Sequence, residues 1–372
     1  MSDHRPNRLM NTYARMPVAF TRGEGAWLWD EDGKRYLDAT SGLGVTALGH
    51  AHPAVAETIC DQARTLIHTA NLARVPWQET LAEKLCGVAG MDRAFICNSG
   101  TEAVECALKI CRLAAHEQGI DEPEVVVMED SFHGRTMAAL SATGSKKVQA
   151  GFEPLVSGFV RVPYGDFEAV QAIAENRPNV IAVLLEPIQG ESGVRVPPAG
   201  YLGQLRNLCD QQGWLLACDE IQTGLCRTGR WYDCHHEGVK PDLLTSAKAL
   251  ANGFPIGACM GSGRAAEAFT PGRHGSTFGG NPLACRTACT VLDLMSELKL
   301  YERAAATGKT IMEGFRARLA GNAAITDIRG RGLMIGIEAD QDVNQLKNEA
   351  LERGLLMNVT HDNVVRLLPP LI

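Results

Sequence analysis

The sequence lacks any apolar run long enough to cross a membrane. Stretches such as Ile181 to Leu185 fall far short of the ~20 residues a span needs, and the opening MSDHRPNRLM has no continuous apolar segment. A cytoplasmic location is expected on that ground. A basic block is also lacking: the net charge of -7 has no local run of Lys and Arg to offset it, which argues against a nucleic-acid surface and favours small-molecule chemistry. The short, disulfide-rich format of secreted domains is missing too. Twelve cysteines are many, but Cys106, Cys111 and Cys218 sit inside helical or strand patterns and read as reduced, small apolar side chains.

Nucleotide and metal signatures are incomplete wherever they begin. The glycine-rich stretch Ser41 to Pro53 contains no GxGxxG. Gly308, Lys309 and Thr310 spell the end of a phosphate loop, but its first glycine would fall at Arg303 and the preceding segment reads as helix. Asp233, Cys234, His235, His236 and Glu237 have ligand chemistry. Consecutive side chains point in different directions, however, and no second cluster is spaced to complete a site, so no metal is expected.

What is present fits an α/β fold. With 372 residues, 45% of them hydrophobic, the chain can bury a large core and divide into roughly two domains. Apolar runs at Ala94 to Cys97, Val125 to Met128, Val180 to Leu185 and Trp214 to Cys218 read as buried strands. Helical patterns such as Phe167 to Glu175 and Leu202 to Gln211 separate them, which predicts a mainly parallel sheet with crossovers. Alternation around the turn Asp30 to Gly33 predicts an N-terminal hairpin. From Ala288 to Leu319 the pattern is helical, and a glycine turn then leads into a strand at Leu333 to Ile337, a C-terminal α+β segment.

The chemistry gathers at strand ends. The run Trp214 to Cys218 delivers Asp219 and Glu220, and Lys248 follows among Ala, Ser and Leu, neighbours that strip water from an ammonium and favour its nucleophilic form. Taken singly, such a lysine is more often a helix residue with its head in water, and such an aspartate a turn residue. Ser99 and Glu102 have capping-box spacing, so Asn98, Ser99, Gly100 and Thr101 form a strand-to-helix turn whose free amides suit a phosphate, or simply cap a helix. After the next strand Phe132 could stack on a ring and Arg135 could fork onto a carboxylate, although FHGR alone reads equally as a loop with a surface arginine. Glu191 ends the cluster EPIQGE after Leu185, and HGSTFGGNP places Ser276 and Thr277 among glycines that allow close approach to phosphate oxygens.

DEIQTG, TSAKALANGFPIGA and HGSTFGGNPLA closely resemble the class III pyridoxal-phosphate aminotransferases and, within them, the acetylornithine aminotransferases; the resemblance runs from about Gly23 to Arg366. It implies fold type I, with a large cofactor domain over residues 46-275 and a smaller α+β domain built from an N-terminal arm (1-45) and the C-terminal segment (276-372). It implies the cofactor pyridoxal 5'-phosphate, attached at Lys248 and supported at its ring nitrogen by Asp219. Gly100 and Thr101 would hold the phosphate, Phe132 would cover the ring, and Gln222 would bond its hydroxyl. Thr277 would be a phosphate ligand given by the neighbouring subunit of a homodimer with shared sites. Substrate binding would fall to Arg135, Ser276 and the reversible pair Glu191 and Arg366. The expected reaction moves the distal amino group of N2-acetyl-L-ornithine to 2-oxoglutarate, giving glutamate, in arginine biosynthesis; the alternatives are other ω-aminotransferases acting on succinylornithine, succinyldiaminopimelate, ornithine or 4-aminobutyrate. Three departures from the family pattern stand out: Val104 where many acetylornithine enzymes carry Asn, Cys226 at a position often Gly, and a last residue, Ile372, soon after Arg366 where relatives usually continue into helix.

Overall fold

The computed structural model describes residues 8-372. Strands β1 (Phe20–Glu24), β2 (Trp27–Asp30) and β3 (Arg35–Asp38) pair antiparallel in sequence. The expected hairpin joins β2 to β3: Asp30 Oδ1 accepts from the amides of Asp32 and Lys34, while Gly33 takes the left-handed conformation that closes the turn.

Seven strands then build the central sheet: β4 (Arg93–Cys97), β5 (Glu124–Met128), β6 (Phe159–Val162), β7 (Val180–Leu185), β8 (Leu215–Asp219), β9 (Leu243–Ser246) and β10 (Gly257–Gly261). Their spatial order is β4-β10-β9-β8-β7-β5-β6, and only β10 runs against the rest. Side chains alternate between two apolar layers. Val126, Met128, Leu216 and Cys218 enter one, and Val125, Val127, Leu215 and Ala217 enter the other, where helix Gly100–Glu117 packs with its apolar stripe. Because six strands share one direction, the loops after β4, β5, β7, β8 and β9 open on the same edge of the sheet, where α/β proteins place their ligands.

The remaining strands are β11 (Ile325–Arg331), β12 (Met334–Ala339), β13 (Leu355–Leu356), β14 (Asn358–Thr360) and β15 (Val364–Leu367). β13 joins the N-terminal sheet parallel to β3, so the two ends of the chain share one sheet, and the others form a sheet in the order β11-β12-β15-β14.

Helix Pro282–Glu297, just past the expected boundary at 275/276, buries Ala284, Cys285, Ala288, Val291, Leu292 and Met295 in a core shared with strands of the central sheet. Two expectations change. The single helical pattern from Ala288 is two helices, broken where Lys299 turns left-handed ahead of Leu300–Arg318. Asp327 to Arg331 is itself strand, paired with β12 across a turn at Gly332. Gly308, Lys309 and Thr310 lie inside the second helix. Among the described residues no helix is long and apolar enough to cross a membrane.

Candidate active site

Loops after β4, β5, β7, β8 and β9 enclose a cavity of about 400 Å³, lined by residues from Asn98–Thr101, Phe132–Arg135, Glu186–Glu191, Asp219–Thr223 and Ala247–Lys248. Its wall begins with the helix after β4. Ser99 caps that helix, its Oγ accepting from the Glu102 amide, while the Glu102 carboxylate takes the Asn98 amide at 2.6 Å. The first N–H groups of a helix have no partner within it, so Gly100 and Thr101 present amides and the positive end of the dipole to the cavity. Gly134 is required to be small, since a Cβ there would collide with Thr101 Oγ1.

Asp219 is held on both oxygens. Oδ2 lies 2.7 Å from His133 Nδ1, and Oδ1 accepts from the Thr245 hydroxyl at 3.0 Å and the Ile221 amide at 3.2 Å. An ionised carboxylate only accepts, so His133 Nδ1 carries the shared proton. His133 Nε2 is buried with no protein partner. Glu220, delivered by the same strand, faces away: its carboxylate caps the amides of Asp233 and Cys234 and takes the Thr223 hydroxyl, and burial pushes it up to about 7. Neighbouring residues at a strand end point to opposite sides, which separates the two acids.

Lys248 follows β9 in a left-handed conformation rare for a side-chain-bearing residue. It is half-buried and lines the same cavity as Asp219. Burial lowers its ammonium to about 8, with Glu191 opposing the shift and Arg366 reinforcing it.

Phe132 donates its amide to Glu186 Oε2 at 2.9 Å, and the Arg135 guanidinium lies 5.3 Å from the Phe132 ring centre. Glu186 Oε1 also accepts from the Gly190 amide, and burial raises this carboxyl to about 7. Arg366 stands behind the cavity wall on β15, opposite Gly336 of β12 and Asn358 of β14. Its Nη1 reaches Glu191 Oε1 at 2.7 Å and Gln222 Oε1 at 3.1 Å. Burial works to raise Glu191, but the charges of Arg366 and Lys248 hold it below the usual carboxylate range.

The fold thus brings Gly100, Thr101, Phe132, Arg135, Glu191, Asp219, Gln222 and Lys248 to one cavity and ties Arg366 to it. It does not bring Ser276 or Thr277 there. The Ser276 hydroxyl accepts from Asn98 Nδ2 at 3.1 Å and the Gly279 amide at 2.9 Å, and Thr277 is exposed. His133, Glu186 and Thr245 escaped sequence reasoning. The first two stood inside motifs already singled out, FHGR and EPIQGE, but nothing local distinguishes them as partners of Asp219 and Phe132.

These groups fit a phosphorylated pyridine aldehyde. Free amides meet a dianion, a desolvated amine meets an aldehyde, a carboxylate fixed by His133 meets a ring nitrogen, and Phe132 offers a ring face. Comparisons with known proteins agree. Residues 9-372 match the family described as aminotransferase class-III. The chain is similar to the acetylornithine aminotransferase of Nitrosomonas europaea, 54% identical over 98% of this chain and 93% of that one. It superposes on the ornithine aminotransferase of Toxoplasma gondii with a TM-score of 0.95, at 38% identity over 98% of this chain and 88% of that one. The acetylornithine aminotransferase of Elizabethkingia anophelis gives a TM-score of 0.88, at 37% identity over 98% and 91%.

Proposed function

Since the chain belongs to the class III aminotransferases and uses pyridoxal phosphate, we propose that it transfers the distal amino group of N2-acetyl-L-ornithine to 2-oxoglutarate, in arginine biosynthesis. The observation that carries this reading is the ion pair of Glu191 with buried Arg366 beside Lys248. Acetylornithine presents a distal amine and one carboxylate, whereas glutamate presents an α-amine with two. Paired, Arg366 is masked and Arg135 alone binds the acetylated substrate's carboxylate; released, Arg366 receives the second carboxylate of glutamate or 2-oxoglutarate.

Lys248 would hold the cofactor through Nζ, with Gly100 and Thr101 at its phosphate, Phe132 on its ring, Asp219 at its ring nitrogen and Gln222 at its hydroxyl. Bound pyridoxal phosphate supplies a ring that accepts negative charge from the substrate carbon. Nζ of Lys248, once free, would take the proton from the amine-bearing carbon and deliver it, as general acid, to the carbon derived from the cofactor's aldehyde; its lowered affinity for protons suits both roles near neutral pH. Asp219, fixed by His133 and Thr245, stabilises positive charge on its cavity side.

A homodimer with shared sites is part of the proposal. Leu66, Ile67, Leu72 and Phe278 are large, exposed apolar side chains. Asn71 ties their two segments together by donating to the carbonyls of Ser276 and Gly279, so one apolar ridge carries Thr277. A cytoplasmic location is supported by ten buried, unpaired cysteines.

A second reading, ornithine aminotransferase, is favoured by the 0.95 structural match. The two are separated by following the cofactor's absorbance as acetylornithine, ornithine, succinylornithine, succinyldiaminopimelate, 4-aminobutyrate and glutamate are added singly. Acetylornithine and glutamate should react fastest; ornithine outrunning acetylornithine would reverse the assignment.

A further inference from the structure

Arg366 donates from one nitrogen to two acceptors, Glu191 Oε1 and Gln222 Oε1, while its Nε and Nη2 are buried with no partner. The two acceptors differ in freedom. Glu191 keeps 40% of its side-chain surface exposed, so it has room to leave, whereas the Arg366 side chain keeps none. Gln222 is buried in the turn after β8 and fits there only because residue 190 is glycine: a Cβ at that position would collide with Gln222 Oε1. When Glu191 moves away, the amide of Gln222 is the acceptor that remains on Nη1.

We propose that Gln222 is a specificity-determining residue: its neutral amide oxygen holds Arg366 in place while Glu191 moves off, so that the guanidinium stays aimed and uncompensated for the second carboxylate of a dicarboxylic substrate. The inference rests on the dual-substrate reading above. Neutrality is essential to it. A carboxylate at 222 would pair with Arg366 permanently, and an apolar side chain would leave a buried guanidinium without a protein acceptor once Glu191 departed. The unpartnered Nε and Nη2 are then the donors left for the incoming carboxylate, in a fork that suits it.

The test is calorimetric titration of the holoenzyme with glutarate, an unreactive dicarboxylate, and with valerate, its monocarboxylate counterpart. Wild type should bind glutarate more tightly than valerate. Gln222→Glu should weaken glutarate by about tenfold or more beyond any change it causes in valerate, the scale of one hydrogen bond to a charged group. Gly190→Ala, which pushes the Gln222 amide aside without adding charge, should weaken glutarate in the same direction by less, and it decides the matter if Gln222→Glu does not fold. Unchanged glutarate affinity, or an equal loss for both ligands, overturns the inference and leaves the dual-substrate reading standing. A wild type with no preference for glutarate overturns that reading and the inference together.

Discussion

Asp219 lines the cavity and Arg366 stands behind its wall; both are buried charges, yet they are held in opposite ways. Asp219 has both oxygens occupied, by His133 on one side and by Thr245 and Ile221 on the other. Arg366 uses one nitrogen and leaves two more buried without partners. An unmatched buried donor typically costs about 1–3 kcal/mol, a cost that an incoming carboxylate on Arg366 would relieve. On the proposed reading the floor of the cavity serves one fixed task and the wall behind Glu191 two alternating ones.

The sharpest break at the floor is Lys248→Ala, which should lower transamination by at least about 10³-fold and abolish borohydride labelling seen by intact mass. A variant with near-normal turnover would remove the proposed role of Nζ. Asp219→Asn should cost about 10²- to 10³-fold in kcat with the fold intact by circular dichroism, since the charge fixed by His133 is lost. At the wall, Glu191→Ala should slow the acetylornithine half-reaction by about tenfold or more while sparing glutamate, because Arg366 is then permanently unmasked. Loss confined to glutamate would reverse the comparison.

Two smaller effects depend on pH. Lys248, lowered to about 8 from an ordinary value near 10.4, is protonated below about 8 and a free amine above it. Capture of added pyridoxal phosphate by cofactor-free protein should therefore accelerate from pH 7 to 9 and then level off; a rise continuing to pH 10 would show an unshifted lysine. Glu186 is raised to about 7, so ionising it in the folded state costs stability that grows above its unfolded value near 4.3 and is complete above about 7. Glu186→Gln removes the ionisation, and the Tm of the variant relative to wild type should rise by about one or two degrees between pH 5 and 8.

Much of the floor was legible in the sequence because it is made by local rules. Apolar runs mark strands, a capping box marks the helix after β4, and the residues just past each run are carried to one edge whenever the strands are parallel. The wall was less legible. Arg366 lies in a strand that looks like any other, and Glu186 and His133 differ from ordinary loop residues only in what they meet. The surface that helix Pro282–Glu297 covers was not legible either, because its apolar stripe gives the period of the helix but not the elements it packs on.

By itself, then, the sequence determined the buried strands of the central sheet, the turns that follow them and the side chains that stand at their ends, since those depend on neighbours within a few positions. Only the tertiary structure decided that Asp219 meets His133 across 86 positions and that Arg366 meets Gln222 across 144, whereas the Glu191 pair across 175 was implied by the family resemblance. Contacts of that range arise from strand order and crossover geometry, which periodicity along the chain does not encode.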